Sequence, residues 1–437
     1  MTTAVATVSR YINTLLIRYL IVYICSLPTL TLRDGWRIKE FCLPVERVYA
    51  AKRCCKGKTL IPYEEYFLQD GVSLNKKERF LAAVRGEVPD MVPVAPLIHN
   101  RFACKLLGRT GWKAVFEVHR TVGSIWFRGP LGISFDIDWP SGWGRESQLV
   151  EEGARKVYEH VLETPVGNIT SKVVYGMVPS DPALSRTAEY FLGSEKDYEV
   201  YKAYLEEFIR RAEPNIEEVI EAYNTMGDDG VPNVGSGCSF SHLCGMRGPE
   251  NLLVDLYRRP EVVREVLELL QEVKEKEVEA FIGSPSQVLY YDVWGAYDMS
   301  PDHFKDWILP DLEKTADLVR KANKYVGFYM VGKIRDLLPL ALEAKPHYIA
   351  PFELQSNITL REAKRLYGKK ICVMGNFDPV VLAFGSLEDA EKEALRCLEE
   401  GMEGGGYVLQ TGDEVPANAK IRNLKAMVKT VEKYGKY

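Results

Sequence analysis

The stretch that decides the fold spans residues 369–379 and reads KKICVMGNFDP. Its uncharged apolar run, residues 371–374, is followed by a glycine and then by the polar residues Asn376 and Asp378. A run that is apolar on both faces is typical of a parallel strand buried between helices or inside a barrel. Residues 387–402 behind it have the pattern of a crossover helix. We therefore expect polar side chains where the strand ends, which is where α/β folds carry their chemistry.

Strand-like and helix-like patterns alternate through the rest of the chain. The predicted strands begin at Met91, Ile133, Val231, Val288, Val326, Tyr348, Ile371 and Tyr407. Eight strands separated by helices predict a (β/α)8 TIM barrel. An inserted β-hairpin is predicted over residues 157–162 and 169–175, and an amphipathic helix over residues 198–222.

Composition excludes several classes of protein. The 437 residues are 46% hydrophobic and 27% charged, with a net charge of -5. This mild acidity argues against nucleic-acid binding, which needs a basic face. The nine cysteines show no metal-ligand spacing, and a chain of this size needs no disulfide scaffold, so we predict a reducing, cytoplasmic location. His242 and Cys244 are close in sequence, but at a predicted helix start they would point in different directions, and we interpret them as structural.

Residues 1–72 differ in texture from the rest and are predicted to be an N-terminal extension of uncertain fold, with the barrel domain over residues 73–437. Residues 11–32 are strongly apolar but contain Arg18, and their uninterrupted core, residues 19–25, is far shorter than the roughly 20 residues that span a bilayer. A membrane anchor is therefore not the favoured interpretation. The alternatives are a leader that does not fold or does not belong to the protein, a packed helix, and a signal peptide, which no small-residue cleavage pattern supports.

In a barrel, the carboxyl ends of the strands converge on one opening, which we call the mouth. The polar residues at the predicted strand ends are His99, Asn100, Asp136, Asp138, Ser236, Cys238, Asp292, Tyr329, Glu353, Asn376, Asp378, Asp413 and Glu414. Helix capping is the simple explanation for each carboxylate, but we expect it to account poorly for Asp292 and Asp378. Clustered carboxylates can also transfer protons or bind a hard metal ion, for which Asp292 and Glu353 are the candidates. No His or Cys spacing supports zinc.

Seven short motifs occur in a fixed order. They are KKERF (76–80), PDMVP (89–93), TPVG (164–167), YDVWG (291–295), SP (300–301), GNFDP (375–379) and NL (423–424). In this order they resemble the uroporphyrinogen decarboxylase superfamily, and the resemblance runs from about Asn75 to the C-terminus. That superfamily includes the decarboxylase of haem synthesis and the cobalamin-linked methyltransferases that act on methanol, methylamines and aryl methyl ethers. The resemblance implies a TIM barrel, in agreement with the strand count.

The chain departs from the pattern of the decarboxylase. The resembling decarboxylase carries an RQAGRY segment after its first strand, and the arginines of that segment bind the carboxylates of its substrate. Here residues 97–102 read LIHNRF, with Arg101 as the single arginine, and residues 410–413 read QTGD, without the family's late histidine. A polycarboxylate substrate needs several guanidinium groups to offset its charge.

The chain also departs from the zinc methyltransferases of the superfamily. These carry His-x-Cys-Gly at the end of the fifth strand and a cysteine after the eighth. The matching positions here read Tyr329-Met330-Val331-Gly332 and Gly412-Asp413-Glu414. Both thiolates are absent, and with them the soft ligands that would hold zinc.

The resemblance and the residues together favour a corrinoid-linked methyltransferase. It would take a methyl group from a small, neutral or cationic substrate and deliver it to a corrinoid on a partner protein. Asp292, Glu353 and Asp413 are the predicted acids or metal ligands, and Tyr329 would orient the substrate. The predicted substrate-binding residues are His99, Arg101, Ser236, Trp294, Asn376 and Asp378. The aromatic residues that could form a wall for an aryl ring or a methylammonium, or simply pack in the core, are Trp139, Trp143 and Trp294.

Two other functions stay open. Decarboxylation of a porphyrinogen would use Asp138 or Asp292 as the electrostatic partner of a protonated pyrrole, and it predicts a set of arginines at the mouth. The candidates for that set are Arg101, Arg128, Arg145 and Arg247. The other function is that of a binding subunit without catalysis, for which a mouth closed by bulky side chains would argue. A homodimer is the assembly that we consider for each function.

Overall fold

The structure, a computed structural model, describes residues 73–127, 129, 131–153, 155–178, 181, 183–293 and 299–437. The predicted extension over residues 1–72 lies outside these residues, as do Arg128 and Trp294. The described elements, in chain order, are α1 (Lys76–Val84), α2 (Asn100–Leu107), α3 (Trp112–Val122), β1 (Ser134–Asp136), β2 (Gly144–Glu152), β3 (Lys156–Thr164), β4 (Gly167–Tyr175), β5 (Ser185–Glu189), α4 (Glu195–Arg211), β6 (Glu213–Asn215), α5 (Glu217–Met226), β7 (Asn233–Gly237), α6 (Ser239–Arg247), α7 (Pro249–Arg258), α8 (Pro260–Gly283), β8 (Val288–Asp292), α9 (Pro301–Trp307), α10 (Leu309–Lys321), β9 (Tyr325–Met330), α11 (Leu338–Ala341), a 3-10 turn (Leu342–Ala344), β10 (Tyr348–Pro351), α12 (Leu360–Tyr367), β11 (Cys372–Phe377), α13 (Pro379–Phe384), α14 (Leu387–Gly401), β12 (Tyr407–Thr411) and α15 (Ile421–Tyr434).

Six strands form a parallel sheet in the order β12-β11-β10-β9-β8-β7. Two irregular segments close this sheet into a barrel. The first segment lies beside β12, where Val94 forms a parallel bridge with Leu409. The second lies between the first segment and β7, because the N–H of Ile125 donates to the carbonyl of Val94 and the N–H of Val231 donates to the carbonyl of Trp126, both at 2.8 Å. The predicted TIM barrel is confirmed, with eight strand positions around one core.

The second barrel strand does not lie where the sequence predicted it. The strand expected from Ile133 is β1, which pairs antiparallel with β6 outside the barrel, with Ser134 opposite Asn215. Residues 125–127 hold the barrel position instead, and their side chains are buried. A run of three residues is too short to show a period, so the sequence pattern could not distinguish it from a loop.

The barrel interior is packed with aromatic side chains. The ring centroid of Phe127 lies 5.5 Å from that of Tyr348 and 4.4 Å from that of Phe80, which α1 contributes from the amino-terminal end. Gly327 makes room for this packing, because a Cβ atom there would lie 2.2 Å from the Tyr348 ring. Since side chains fill the interior, a site for a substrate must lie at the mouth.

An antiparallel sheet is inserted between the second barrel segment and β7. Its strand order is β2-β3-β4-β5, and β3 pairs with β4 from Lys156 opposite Tyr175 to Thr164 opposite Gly167. The predicted hairpin is therefore confirmed, and β2 and β5 extend it to four strands.

The helix predicted over residues 198–222 is wrong as a single element. It consists of α4 and α5 with β6 between them. Pro214 has no N–H to donate and disfavours helical geometry in the residue before it, so α4 ends at Arg211, with Ala212 as its C-cap. Among the described residues, no helix is both long enough and apolar enough to cross a bilayer.

Candidate functional site

A cleft of about 540 Å³ lies at the mouth, between the ends of β7 and β8 and the loops that follow the two irregular segments. We call it the cleft. Its polar lining includes His99, Ser236, Ser241, His242, Lys274, Tyr290 and Asp292. Three residues predicted from strand ends, His99, Ser236 and Asp292, are thus brought together although they are far apart in the chain. Their catalytic or binding roles stay predictions.

Lys274 is a polar residue of the cleft that the sequence analysis missed. It lies on α8, is only 4% exposed, and its ammonium donates to both oxygens of Glu277 at 3.0 and 3.1 Å. Glu277 also accepts a short hydrogen bond from the hydroxyl of Ser236. We call Lys274, Glu277 and Ser236 the lysine side of the mouth. A signal was present in the sequence, because Lys274 lies four residues from the buried residues Leu270 and Val278, on the apolar stripe of α8.

His242 also lines the cleft, although its neighbourhood in the sequence favoured a structural role. Burial, followed by the positive charges of Lys274 and Arg145, lowers the pKa of His242 to about 3. The imidazole is therefore neutral at physiological pH, where it can donate one hydrogen bond and accept another. Cys244 is buried, as its structural interpretation requires.

Three residues predicted from the other strand ends form a second group, which we call the acidic side of the mouth. They are Tyr329, Glu353 and Asp413. The hydroxyl of Tyr329 donates to Oδ1 of Asp413 at 2.6 Å. Burial, and then the negative charge of Asp413, raises the pKa of Glu353, although the backbone N–H of Gly332 partly offsets this by donating to the carboxylate. Glu353 therefore keeps its proton to a higher pH than an ordinary glutamate.

Glu414 connects the acidic side to the cleft. Its backbone N–H donates to Asp413 at 2.7 Å, and its carboxylate lies 3.3 Å from Nδ1 of His99, which lines the cleft. Arg101 lies 3.7 Å from the same carboxylate and 2.6 Å from Asp181. Two carboxylates therefore offset the charge of Arg101.

Asn376 and Asp378 contact helices rather than the cleft. The amide oxygen of Asn376 accepts from Arg396 on α14 at 3.0 Å, and Asn376 is 2% exposed. Asp378 caps α13, with its carboxylate accepting from the N–H of Val380 at 2.8 Å. The expectation that capping would account poorly for Asp378 is wrong. The turn into Pro379 leaves the first N–H groups of the helix unpaired, and the carboxylate satisfies one of them.

Asp138 does not line the cleft. It follows β1 outside the barrel and is exposed, and its backbone carbonyl accepts from Arg211 at 3.5 Å. Asp136, on β1, accepts from the side chain of Asn215 at 3.0 Å. Both were expected at a barrel strand end because β1 was taken for the second barrel strand. Because β1 lies outside the barrel, Asp138 is not among the residues that the structure brings together at the mouth.

The donor set does not fit zinc. The described ranges contain no group of three His, Cys, Asp or Glu side chains close enough to hold a metal ion. Tyr329 and Asp413, which belong to the two segments that stand where the resembling methyltransferases carry their zinc motifs, are joined directly by a hydrogen bond. The metal-binding role of Asp292 and Glu353 stays a prediction, because Asp292 lines the cleft while Glu353 belongs to the acidic side.

A parallel barrel of six strands and two irregular segments, with a polar cleft at the carboxyl ends of its strands, has the architecture of the TIM-barrel enzymes. A family model described as "Uroporphyrinogen decarboxylase (URO-D)" matches residues 184–434, which is more than half of the chain. The chain therefore belongs to the uroporphyrinogen decarboxylase family.

Individual relatives are distant. The uroporphyrinogen decarboxylase of Neisseria meningitidis serogroup B is 26% identical over 219 residues, which cover 47% of this chain and 59% of that protein. The enzyme of Chlorobaculum parvum is 24% identical over 225 residues, which cover 48% of this chain and 62% of that protein. The matched region thus spans about 60% of the length of these curated relatives. A methyltransferase from Methanosarcina mazei superposes with a TM-score of 0.56 at 15% identity, over 83% of this chain and 99% of that chain, and this likeness supports the fold.

Proposed function

We propose that this member of the family is a corrinoid-linked methyltransferase that acts on a small methylated substrate. The observation that carries the proposal is the lining of the cleft, which among the described residues contains no arginine. Of the candidate arginines, Arg145 lines a neighbouring cavity. Arg101 is offset by Asp181 and Glu414, and Arg247 is held by Asp255 at 2.7 Å and by the carbonyl of Leu192 at 2.6 Å. Guanidinium groups that already have partners are poorly suited to a polycarboxylate such as a porphyrinogen.

The acidic side supports the same proposal. Methyl transfer breaks the bond between the methyl carbon and an oxygen or nitrogen atom, and that atom must then take up a proton. Glu353, with its raised pKa, is a carboxylic acid that can supply this proton. Tyr329 and Asp413 would hold the acid and the leaving group in place. A reduced corrinoid on a partner protein would supply the electron pair that forms the new bond to the methyl carbon.

At the other edge of the mouth, the residues of the cleft around the lysine side would contact the substrate. Asp292 faces the cleft and would accept a hydrogen bond from the substrate, while the neutral His242 could donate one. Lys274 would keep this edge near neutral charge by compensating Glu277. A small donor with at most one charge suits such a mouth better than an anion with several charges.

The test is methyl transfer to free cobalamin. The full chain is incubated with cob(I)alamin and, separately, with methanol, methylamine or 4-methoxybenzoate, and methylated cobalamin is followed by visible absorbance. Enzyme-dependent methylation with at least one donor supports the proposal. Turnover of uroporphyrinogen to products with fewer carboxylates, without methylation of cobalamin, would overturn it.

Decarboxylation is the second candidate, and one observation favours it. Asp292 lines the cleft, where it could be the electrostatic partner of a protonated pyrrole. A binding barrel without catalysis is less well supported. Bulky side chains do not fill the cleft, which has a volume of about 540 Å³.

A further inference from the structure

A second cavity, of about 450 Å³, lies between the inserted segment and helices α4, α6 and α8. Six aromatic rings line it, and we call it the aromatic pocket. They belong to Phe135, Trp139, Phe191, Tyr201, Tyr204 and Phe208. The rings of Phe135 and Phe208 meet edge to face with centroids 5.1 Å apart, and those of Trp139 and Tyr204 lie 5.0 Å apart. Trp139, one of the three aromatic residues that were considered for a wall or for the core, therefore lines this cavity beside the barrel and not the cleft.

The aromatic pocket contains a polar group that core packing does not explain. Tyr201 is 1% exposed, and within the described part of the chain its hydroxyl has no hydrogen-bond partner. A buried hydroxyl without a partner costs stability, so such groups usually mark a bound water or ligand. The hydroxyl therefore indicates that a polar atom enters this pocket.

Arg145 supplies the charge of the aromatic pocket. Its side chain lines the pocket, and its positive charge acts on Tyr201, Tyr204 and His242. No carboxylate pairs with this guanidinium among the residues that the structure describes. The negative charge of Glu277, which also lines the pocket, is already compensated by Lys274. The pocket thus presents one cation that lacks a partner and no uncompensated anion.

The aromatic pocket borders the cleft. His242 lines both cavities, and Glu277 of the pocket is bonded to Ser236 and Lys274 of the cleft. A molecule with its ring in the pocket can therefore direct a substituent towards Asp292. The volume is in the range of pockets that hold a small molecule, and a single aromatic ring fits it.

We propose that the aromatic pocket binds a planar aromatic ring that carries a carboxylate, with the ring against Trp139 and Tyr204 and the carboxylate at Arg145 and the hydroxyl of Tyr201. Aromatic side chains pack against an aromatic ligand in edge-to-face or offset geometry, and a guanidinium binds a carboxylate with two parallel hydrogen bonds. The inference that this ring belongs to the methyl donor rests on the proposed function. The inference that the aromatic pocket binds an aromatic carboxylate does not depend on that function.

Calorimetric titration of the full chain tests the binding step. Sodium benzoate and tetramethylammonium chloride are the two probes, because they share small size and differ in ring and charge. We expect benzoate to bind and tetramethylammonium not to bind. Binding of tetramethylammonium alone, which would use the rings as a cage for a cation, overturns the proposal, as does the failure of both probes to bind.

Two variants and one control variant test where benzoate binds. Arg145→Leu should weaken benzoate binding by about tenfold or more, because a charge-assisted hydrogen bond is lost. Arg186→Leu, which removes an exposed arginine from β5, is the matched control and should bind like the wild type. Tyr201→Phe should weaken binding by about threefold and should unfold at a temperature no lower than the wild type, because it removes only the unpartnered hydroxyl. Equal affinity in Arg145→Leu and Arg186→Leu would overturn the proposal.

This experiment separates the two proposals. Benzoate has no methyl group to give, so its binding is independent of the reaction. If benzoate binds through Arg145 while methanol, methylamine and 4-methoxybenzoate all transfer no methyl group to cobalamin, the proposal for the aromatic pocket is supported and the proposed function is overturned. If methylamine is demethylated while benzoate does not bind, the proposed function stands and the aromatic pocket fails.

Discussion

The two sides of the mouth carry carboxylates in different states. On the lysine side, Glu277 is compensated by the ammonium of Lys274, which is bonded to both of its oxygens. On the acidic side, Glu353 has no cation as a partner in the described interactions, and burial and then the charge of Asp413 raise its pKa, so it holds its proton to a higher pH than an ordinary glutamate. An ion pair keeps its charge fixed, whereas a protonated carboxyl can give its proton away. The difference teaches that the acidic side is suited to proton transfer and the lysine side to holding structure and charge.

The largest effect is expected from Glu353→Gln, which removes the proton of the acidic side and keeps the shape of the residue. The rate of methyl transfer should fall by about 10²–10⁴-fold, the usual contribution of a general acid. The measurement is kcat with cob(I)alamin and the best donor. Glu343→Gln, at an exposed glutamate of the 3-10 turn, is the matched control and should leave kcat unchanged. A rate for Glu353→Gln within a factor of about three of the wild type would contradict the assignment.

Lys274→Met removes the positive charge of the lysine side. The substitution leaves the carboxylate of Glu277, which is largely buried, without its cation. The free energy of unfolding should therefore fall by about 3 kcal/mol. Urea denaturation at neutral pH measures the change. The double variant Lys274→Met/Glu277→Gln removes both charges and keeps an acceptor for Ser236, so it should regain most of the loss. If the single and double variants are equally stable, the pair does not compensate charge in the way described.

Tyr329→Phe tests the hydrogen bond that holds Asp413. The free energy of unfolding should fall by about 1 kcal/mol, because one hydrogen bond to a carboxylate in a partly buried site is lost. The same variant should change kcat less than Glu353→Gln does, since Tyr329 positions the acid without donating the proton itself. Loss of activity equal to that of Glu353→Gln would instead place Tyr329 in the proton transfer.

The smallest effect is a pH dependence of stability. Between the ordinary pKa of a glutamate and the raised pKa of Glu353, the folded chain holds a proton that the unfolded chain has lost. Stability from this group is therefore fully present below the ordinary pKa and is lost as the pH rises through the raised pKa. The free energy of unfolding of the wild type, relative to Glu353→Gln, should decrease across that window, and only slightly because Glu353 is partly exposed. A relative stability that rises with pH would mean that the pKa of Glu353 is lowered.

The barrel could be predicted from the sequence because each full strand is an apolar run in the local sequence. The strands expected from Val288, Tyr348 and Tyr407 begin at those residues in the structure. The barrel position of residues 125–127 could not be predicted, because closure there depends on hydrogen bonds with Val94 and Val231, which no local pattern contains. Because the second barrel strand was predicted at the wrong residues, Asp138 was wrongly included in the predicted site.

The candidate site was recovered in part for a related reason. Position at a strand end was enough to bring Asp292 and His99 to the cleft and Tyr329 to Asp413. It was not enough for Asp378, because a carboxylate at a strand end can turn to cap the next helix. Lys274 lies in the middle of a helix, and strand-end reasoning does not consider such positions.

Periodicity and ordered motifs were sufficient for the TIM barrel and the family, since burial between helices imposes an apolar pattern on every parallel strand. The partner of each polar side chain required the folded chain. Ser236 and Glu277 are 41 residues apart, and Tyr329 and Asp413 are 84 residues apart, yet each pair is joined by one hydrogen bond. Hydrogen bonds and pKa values depend on distances between side chains, and barrel closure sets those distances across the whole chain.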